Sequence, residues 1–203
     1  MKQDIAIYTL TSELHDEKAV TTMTTAFLEG LGIDYHLKGT DYSDYGSHAL
    51  NLIYVRTGGT EGLFRRLLPE LQNKSKHPFY LLTSGKSNSL AASMEILSFL
   101  RQHDICGEII HGDSDYISRR ILLLAKVEEA KNKLYGTRLG IIGEPSDWLI
   151  SSHADKAKVK EILGIELIDI PMQELLDEIG DSKHIYEALK TLKYPSPLVC
   201  LHD

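Results

Sequence analysis

The sequence predicts an α/β protein: a doubly wound parallel sheet in three layers, followed by a second, smaller α/β domain. Three observations predict it. Short runs of β-branched, aromatic and aliphatic residues recur at 4–9, 51–55, 78–82, 107–111, 138–142 and 165–170, and apolar runs of this length mark strands covered on both faces. Stretches with helical periodicity separate them. Most runs end in a polar loop rich in Gly, Ser, Thr or Asp, so the chain repeats strand, loop, helix.

Composition sets the bounds. The 203 residues are 42% hydrophobic and 25% charged, as in ordinary soluble proteins, and admit one large or two small domains. No apolar stretch reaches the length of a bilayer span, so no membrane partner is expected. The start, Met1 to Ile5, lacks the apolar core of a secretion signal, which points to a cytoplasmic setting. The net charge of −7 opposes a grip on phosphate backbone, so no nucleic-acid partner is expected. Cys106 and Cys200 each sit within apolar sequence and read as buried free thiols. CxxC, HExxH, Walker A and GxGxxG patterns are missing from the sequence, and with them the common zinc and nucleotide signatures.

The first strand, 4–9, leads to a helix expected from Glu13 to Leu31, with Thr11 or Ser12 as cap and Ala19, Met23, Phe27 and Leu31 as its core stripe. Gly32 closes it, and a second strand is expected over 33–37. The polar stretch 38–48, with Asp41, Tyr42, Asp44 and Tyr45, reads as a loop that can face a ligand. The strand at 51–55 runs into Arg56-Thr57-Gly58-Gly59-Thr60-Glu61-Gly62 and a helix beginning at 63. Thr60 is the candidate N-cap, and Glu61 suits the positive end of that helix.

The strand at 78–82 enters a loop holding Ser84, Lys86, Ser87 and Asn88, then a helix over 90–103 marked by Leu90, Met94, Leu97 and Phe99. Asn88 or Ser89 can cap it. The strand at 107–111 is followed by a helix over 116–134 with Ile117, Ile121, Leu124 and Val127 on one side. Its mixed-charge end, 126–133, reads as a solvated face. Residues 1–134 then make one Rossmann-like domain of about five strands. A second domain, 135–203, is expected to begin with a buried strand at 138–142. Helices to Leu163 and from Pro171 to Ile179 follow, then a helix at 183–192 and a strand at 198–201. It reads either as a compact cap or, as the preferred expectation, as the front of something longer.

The loops carry the candidate chemistry. Backbone amides of Gly58, Gly59 and Thr60 at a helix start can bind hydroxyls or an anion; the other reading is a tight turn without a ligand. Glu61 opposes an anion there and fits a neutral polyol. Arg56 can pair with Glu61 or meet the ligand. Ser84, Ser87 and Asn88 can hydrogen-bond a sugar; capping explains Asn88 as well. Glu144 and Asp147, around Pro145-Ser146, can touch a metal or sugar; the other reading is that Asp147 caps a helix and Glu144 bonds backbone amides of the loop. Trp148 can stack on a sugar ring or pack on a core or an interface. His15 and His111 near strand exits read first as structural. Lys86 can contact phosphate but lacks Walker context.

Three segments in order, Arg56–Glu61, Asn88–Leu100 and Gly143–Leu149, resemble the L-fucose isomerase-related proteins, grouped with the L-fucose and L-arabinose isomerases. The resemblance spans nearly the whole chain. It implies an N-terminal α/β domain and the start of a middle one, and aldose–ketose interconversion at a divalent metal, commonly manganese, in the full-length family. It implies homo-oligomers. The family's metal and acid/base residues lie later than this chain reaches, so no catalytic residue or metal ligand is carried over and no cofactor is expected here. The chain is thus expected to supply substrate-side loops and subunit contacts. Substrate contacts are expected at Arg56, Gly58, Gly59, Thr60, Glu61, Ser84, Asn88, Glu144, Ser146, Asp147 and Trp148. The alternative is a non-catalytic module binding a small polyol. A phospho-acceptor receiver domain is a weaker third, since 8–11 after the first strand supply no aspartates.

Overall fold

The computed structural model describes residues 4–75 and 77–180. Contacts divide the chain into two compact units, residues 1–132 and 133–203. In the first unit β1 (Ile5–Leu10), α1 (Glu17–Glu29), β2 (His36–Gly39), β3 (Leu50–Val55), α2 (Glu61–Lys74), β4 (Phe79–Leu82), α3 (Ser89–Gln102), β5 (Gly107–Ile110) and α4 (Ser114–Leu134) follow one another. The strands form one sheet in the order β2-β1-β3-β4-β5, and every neighbouring pair is parallel. Helices cover both faces, which is the doubly wound three-layer arrangement that the alternation predicts.

Side-chain alternation along the strands builds two cores. On one face Ala6, Tyr8, Leu10, Ile53, Val55, Phe79 and Leu81 pack with Phe64, Leu68 and Leu71 of α2 and Ala92, Ile96 and Leu100 of α3. On the other, Ile5, Ile7, Leu52, Tyr54 and Leu82 pack with Leu28, Leu31 and, from α4, Ile117, Ile121 and Leu124. The strands β1, β3 and β4 are buried at every position, so their sequences are apolar apart from Thr9 and Asn51. The edge strands β2 and β5 are only partly buried.

Several helix faces differ from those expected. Asp16 caps α1, accepting from the amides of Lys18 (2.8 Å) and Ala19 (3.1 Å), so the helix starts later than Thr11 or Ser12 would place it. Its buried stripe is Val20, Thr24 and Leu28, while Met23 is 38% exposed. Thr24 can be buried because its hydroxyl donates to the Val20 carbonyl at 2.8 Å, which frees it from water. On α3 the buried positions are Ser89, Ala92, Ser93, Ile96 and Leu100, and Met94 faces out. In the charged end of α4, Glu128 is only 2% exposed. Its carboxylate meets His77 Nδ1 at 2.9 Å and Lys131 Nζ at 3.0 Å and accepts from the Tyr80 hydroxyl at 3.3 Å. A buried charge needs such partners. Burial, and then the Glu128 charge, push the Tyr80 hydroxyl's pKa above its ordinary value. Cys106, expected to be buried, is exposed in the turn before the edge strand β5, and β2 begins three residues later than expected.

The polar stretch 38–48 is partly core. Tyr42 stacks on Tyr8 with ring centres 5.1 Å apart, and Tyr45 meets Tyr8 at 5.2 Å, edge to face. Asp44 accepts from the Tyr8 hydroxyl at 2.9 Å and from Lys38, and lies 3.2 Å from His48 Nε2. Lys38 first, then Tyr8 and His48, hold the Asp44 carboxyl well below the usual carboxylate range.

In the second unit β6 (Arg138–Ile142) and β7 (Glu166–Ile170) pair in parallel, with α5 (Lys156–Leu163) between them and α6 (Met172–Gly180) after them. Asp155 caps α5 by accepting from the Lys158 amide at 3.0 Å, and Gly164 closes it with φ +68°. The expected burial of the strand at 138–142 is not met: β6 is largely exposed. The helix expected at 183–192, the strand at 198–201 and Cys200 lie outside the described residues.

Ile53 lies fully buried at mid-sheet, so Ile53→Ala is expected to cost about 2–5 kcal/mol, read as a lower urea midpoint. Because Asp44 is depressed in the folded state, its contribution is complete above about pH 5 and lost as pH falls through and below about 4. Asp44→Asn is expected to lower the melting temperature at neutral pH and to flatten the acid limb of a stability–pH profile. Identical acid limbs for both proteins would contradict this.

Candidate functional site

Parallel pairing sets the site. In the β1–β3 ladder Leu10 stands opposite Val55, and the Arg56 amide extends that ladder by donating to the Leu10 carbonyl at 3.0 Å. The exit loops of these two strands are therefore neighbours. Between them the chain has gone out to β2 on the far side of β1 and returned to β3 on its other side. Where the winding direction reverses in this way, an open α/β sheet leaves a crevice at the carboxyl ends of its strands.

Side chains tie the two exits together. The Ser12 amide donates to Thr57 Oγ1 at 3.0 Å, and Arg56 Nε donates to Thr11 Oγ1 at 2.5 Å. The buried Thr60 hydroxyl donates to the Thr57 carbonyl at 3.1 Å. Thr60 stands at the N-cap position of α2 but makes no side-chain capping bond, contrary to the expected role, because its hydroxyl is spent on the loop.

The exit loop of β4 joins the same rim. The Gly58 amide donates to the Ser87 carbonyl at 2.8 Å, and a Cβ on Gly58 would lie 3.0 Å from Asn88 Cβ. Only glycine lets the two loops approach so closely. Ser87 and Asn88 hold φ of +52° and +60°, a conformation that costs a non-glycine residue roughly 1–2 kcal/mol. Asn88 occupies the N-cap position of α3 without a side-chain capping bond. The Thr83 hydroxyl donates to Ser89 Oγ at 2.7 Å. His111, after β5, places Nδ1 3.1 Å from the Thr83 carbonyl oxygen, a structural role.

A cavity of about 710 Å3 opens beside the joined β1 and β3 exits, lined by Thr9, Leu10, Thr11, Ser12, Glu13, His15, Thr40, Tyr42, Arg56, Leu63, Arg66 and Leu67. The Tyr42 hydroxyl donates to the Thr9 carbonyl at 3.1 Å, so the 38–48 stretch serves core and cavity together. Burial pushes the pKa of the Tyr42 hydroxyl up, with neighbouring Tyr45 adding to the effect.

The residues named from sequence are thus sorted. Arg56 lines the cavity and is 8% exposed. Gly58, Gly59 and Thr60 form the turn behind it and do not line it. Glu61 faces a separate cleft of about 170 Å3 with Arg65, Glu95 and Phe99, between α2 and α3. Ser84 is half-buried, its Oγ accepts from the Lys86 amide at 3.4 Å, and it does not line the cavity. Asn88 buttresses Gly58. Glu144, Ser146, Asp147 and Trp148 belong to the second unit, in a turn where the Leu149 amide donates to the Ser146 carbonyl at 3.0 Å. Trp148 is 79% exposed, which contradicts packing on a core, and Asp155, not Asp147, caps the next helix. Thr11 and Ser12, expected as caps, line the cavity instead, together with Thr40, Leu63, Arg66 and Leu67, which no motif in the sequence singles out; the rule of the winding reversal, applied to the exit of β1, points to the first two.

Among the described residues no group of three or more His, Cys, Asp or Glu is placed to hold a metal. The cavity's guanidiniums and hydroxyls do not suit a hard divalent cation, which needs clustered carboxylate and carbonyl oxygens, so the metal implied by the resemblance does not fit here. Among the described residues no helix is long and apolar enough to cross a membrane. No protein-family model matches the chain, and no curated protein matches it significantly.

Gly59 has φ +73°, and a Cβ there would lie 3.1 Å from Ser12 Oγ, so Gly59→Ala is expected to destabilise by about 1–2 kcal/mol. Gly62, inside the first turn of α2, has only Arg66 Nη1 at 3.8 Å in that position. Gly62→Ala is expected to stabilise by up to about 1 kcal/mol. Thermal melts of the two variants check the opposite signs.

Proposed function

We propose that the first unit binds a small hydroxylated ligand, a sugar or polyol, in the cavity beside the exits of β1 and β3. In this reading it forms the substrate-side wall of a sugar isomerase-like protein and not its metal centre. The observation that carries the proposal is the lining: Thr11, Ser12 and Thr40 share a cavity of about 710 Å3 with Leu10, Leu63 and Leu67. Hydroxyls on a wall match the hydroxyls of a sugar, and leucines match its C–H faces. Two of the three segments behind the resemblance to the L-fucose and L-arabinose isomerases begin in loops that meet at this rim, through Gly58 and Ser87, and that supports the ligand class. The donor set, richer in guanidinium and hydroxyl than in carboxylate, favours a second reading of the same site as a polyol-binding module without catalysis. Homo-oligomers follow from the resemblance alone. A reducing, cytoplasmic setting is supported by the free thiol of Cys106.

Calorimetric titration with a panel of aldoses and polyols is the test. At least one is expected to bind at a single site. Thr40→Trp, which places a large ring at the exposed cavity wall, is expected to weaken that binding roughly 10-fold or more with little change in melting temperature. Heats from none of the panel would refute this ligand class.

A further inference from the structure

We infer that the ligand of this cavity is a polyol carrying one acidic group, a phosphate ester or a carboxylate; the inference rests on the cavity reading above and narrows its ligand class. The charged residues of the lining carry the argument. Two guanidiniums, Arg56 and Arg66, line the cavity, and among the described lining residues Glu13 is the one carboxylate and His15 the one imidazole. The carboxylate that argued from sequence for a neutral ligand, Glu61, lines the other cleft. Arg56 is a charged group held 8% exposed at the crevice, with its Nε oriented by Thr11. Arg66 projects from α2, one turn beyond Gly62, with no hydrogen bond or ion pair to any described residue.

The planar fork of a guanidinium matches the paired oxygens of carboxylate and phosphate. The remaining lining, Thr11, Thr40 and Leu67, suits a polyol body. The overall charge of −7 repels extended polyanions, which limits the partner to a small molecule with localised charge.

Calorimetry on the full chain at low salt would compare ribose, ribose 5-phosphate, ribonate and inorganic phosphate, with wild type, Arg66→Ala and Arg66→Lys. Arg66 is exposed, so both variants are expected to fold as wild type, checked by melting temperature. At least one acidic sugar is expected to bind roughly 10-fold more tightly than ribose, and to lose roughly 10-fold in Arg66→Ala. Lysine is expected to restore part of the loss, and ribose to lose less affinity in Arg66→Ala than the acidic sugar does. The phosphate ester and the aldonate, compared, identify the acidic group. Ribose binding as tightly as both acidic forms overturns the inference and leaves the cavity reading standing. Inorganic phosphate binding as tightly as the phosphorylated sugar overturns the polyol part. Heats from no sugar, neutral or acidic, overturn both readings.

Discussion

Everything at the carboxyl edge of the first unit depends on the six-residue parallel pairing of β1 with β3. Each strand is buried at all six positions, and a slip of one residue would exchange the two faces of the core. The register is therefore strongly determined by burial. It leaves Leu10 opposite Val55, and with them Thr11 beside Arg56 and Ser12 beside Thr57. The hydroxyl–guanidinium and amide–hydroxyl bonds of the site follow from that alignment. A packing requirement in the core thus sets the position of polar groups at the surface.

The aromatic layer around Tyr8 links the core to the cavity by a second route. Tyr42 stacks on Tyr8 and, through its hydroxyl, on to the Thr9 backbone. Tyr45 carries the layer to Phe79 at a centre distance of 6.3 Å, and Phe79 meets Phe64 of α2 edge to face at 5.7 Å. Aromatic contacts of this kind add to the burial of large apolar area. The segment that holds Thr40 on the cavity wall is in this way anchored through Tyr42 and Tyr45 and through the Asp44 ion pair with Lys38.

The rim beyond β3 stores strain. Two consecutive residues, Ser87 and Asn88, sit in the left-handed region, held by the Gly58 bond to Ser87 and the Ser89 amide's bond to the Lys86 carbonyl at 3.0 Å. Such conformations persist where the surroundings over-determine them. Here the surroundings are the loop after β3 pressed against the loop after β4, so the turn behind Arg56 is braced from the far side of the cavity.

Much of the frame was legible from residues alone. Mostly apolar runs such as Leu52–Val55 identify covered strands, glycine marks the turn after β3, and alternation with helices identifies the parallel sheet, because these signals arise from local periodicity and backbone sterics. Helix faces were less legible: Thr24 is buried through a bond to its own helix, and Glu128 through partners on other elements, and neither shows in hydropathy. The candidate site divided along the same line. Arg56 and the glycine turn were found because they are contiguous. Thr11, Thr40 and the α2 pair Leu63 and Arg66 come from three separate segments, and only strand order and register bring them to one wall. The separation of Glu61 from Arg56 was likewise decided by tertiary structure, since five residues span a turn and a helix start and the direction in which α2 leaves the sheet determines which cleft each side chain enters. The sequence by itself determined the strands, the turns and the kinds of polar group available; folding alone decided which of those groups share a cavity, because proximity across a parallel sheet depends on crossover order and not on distance along the chain.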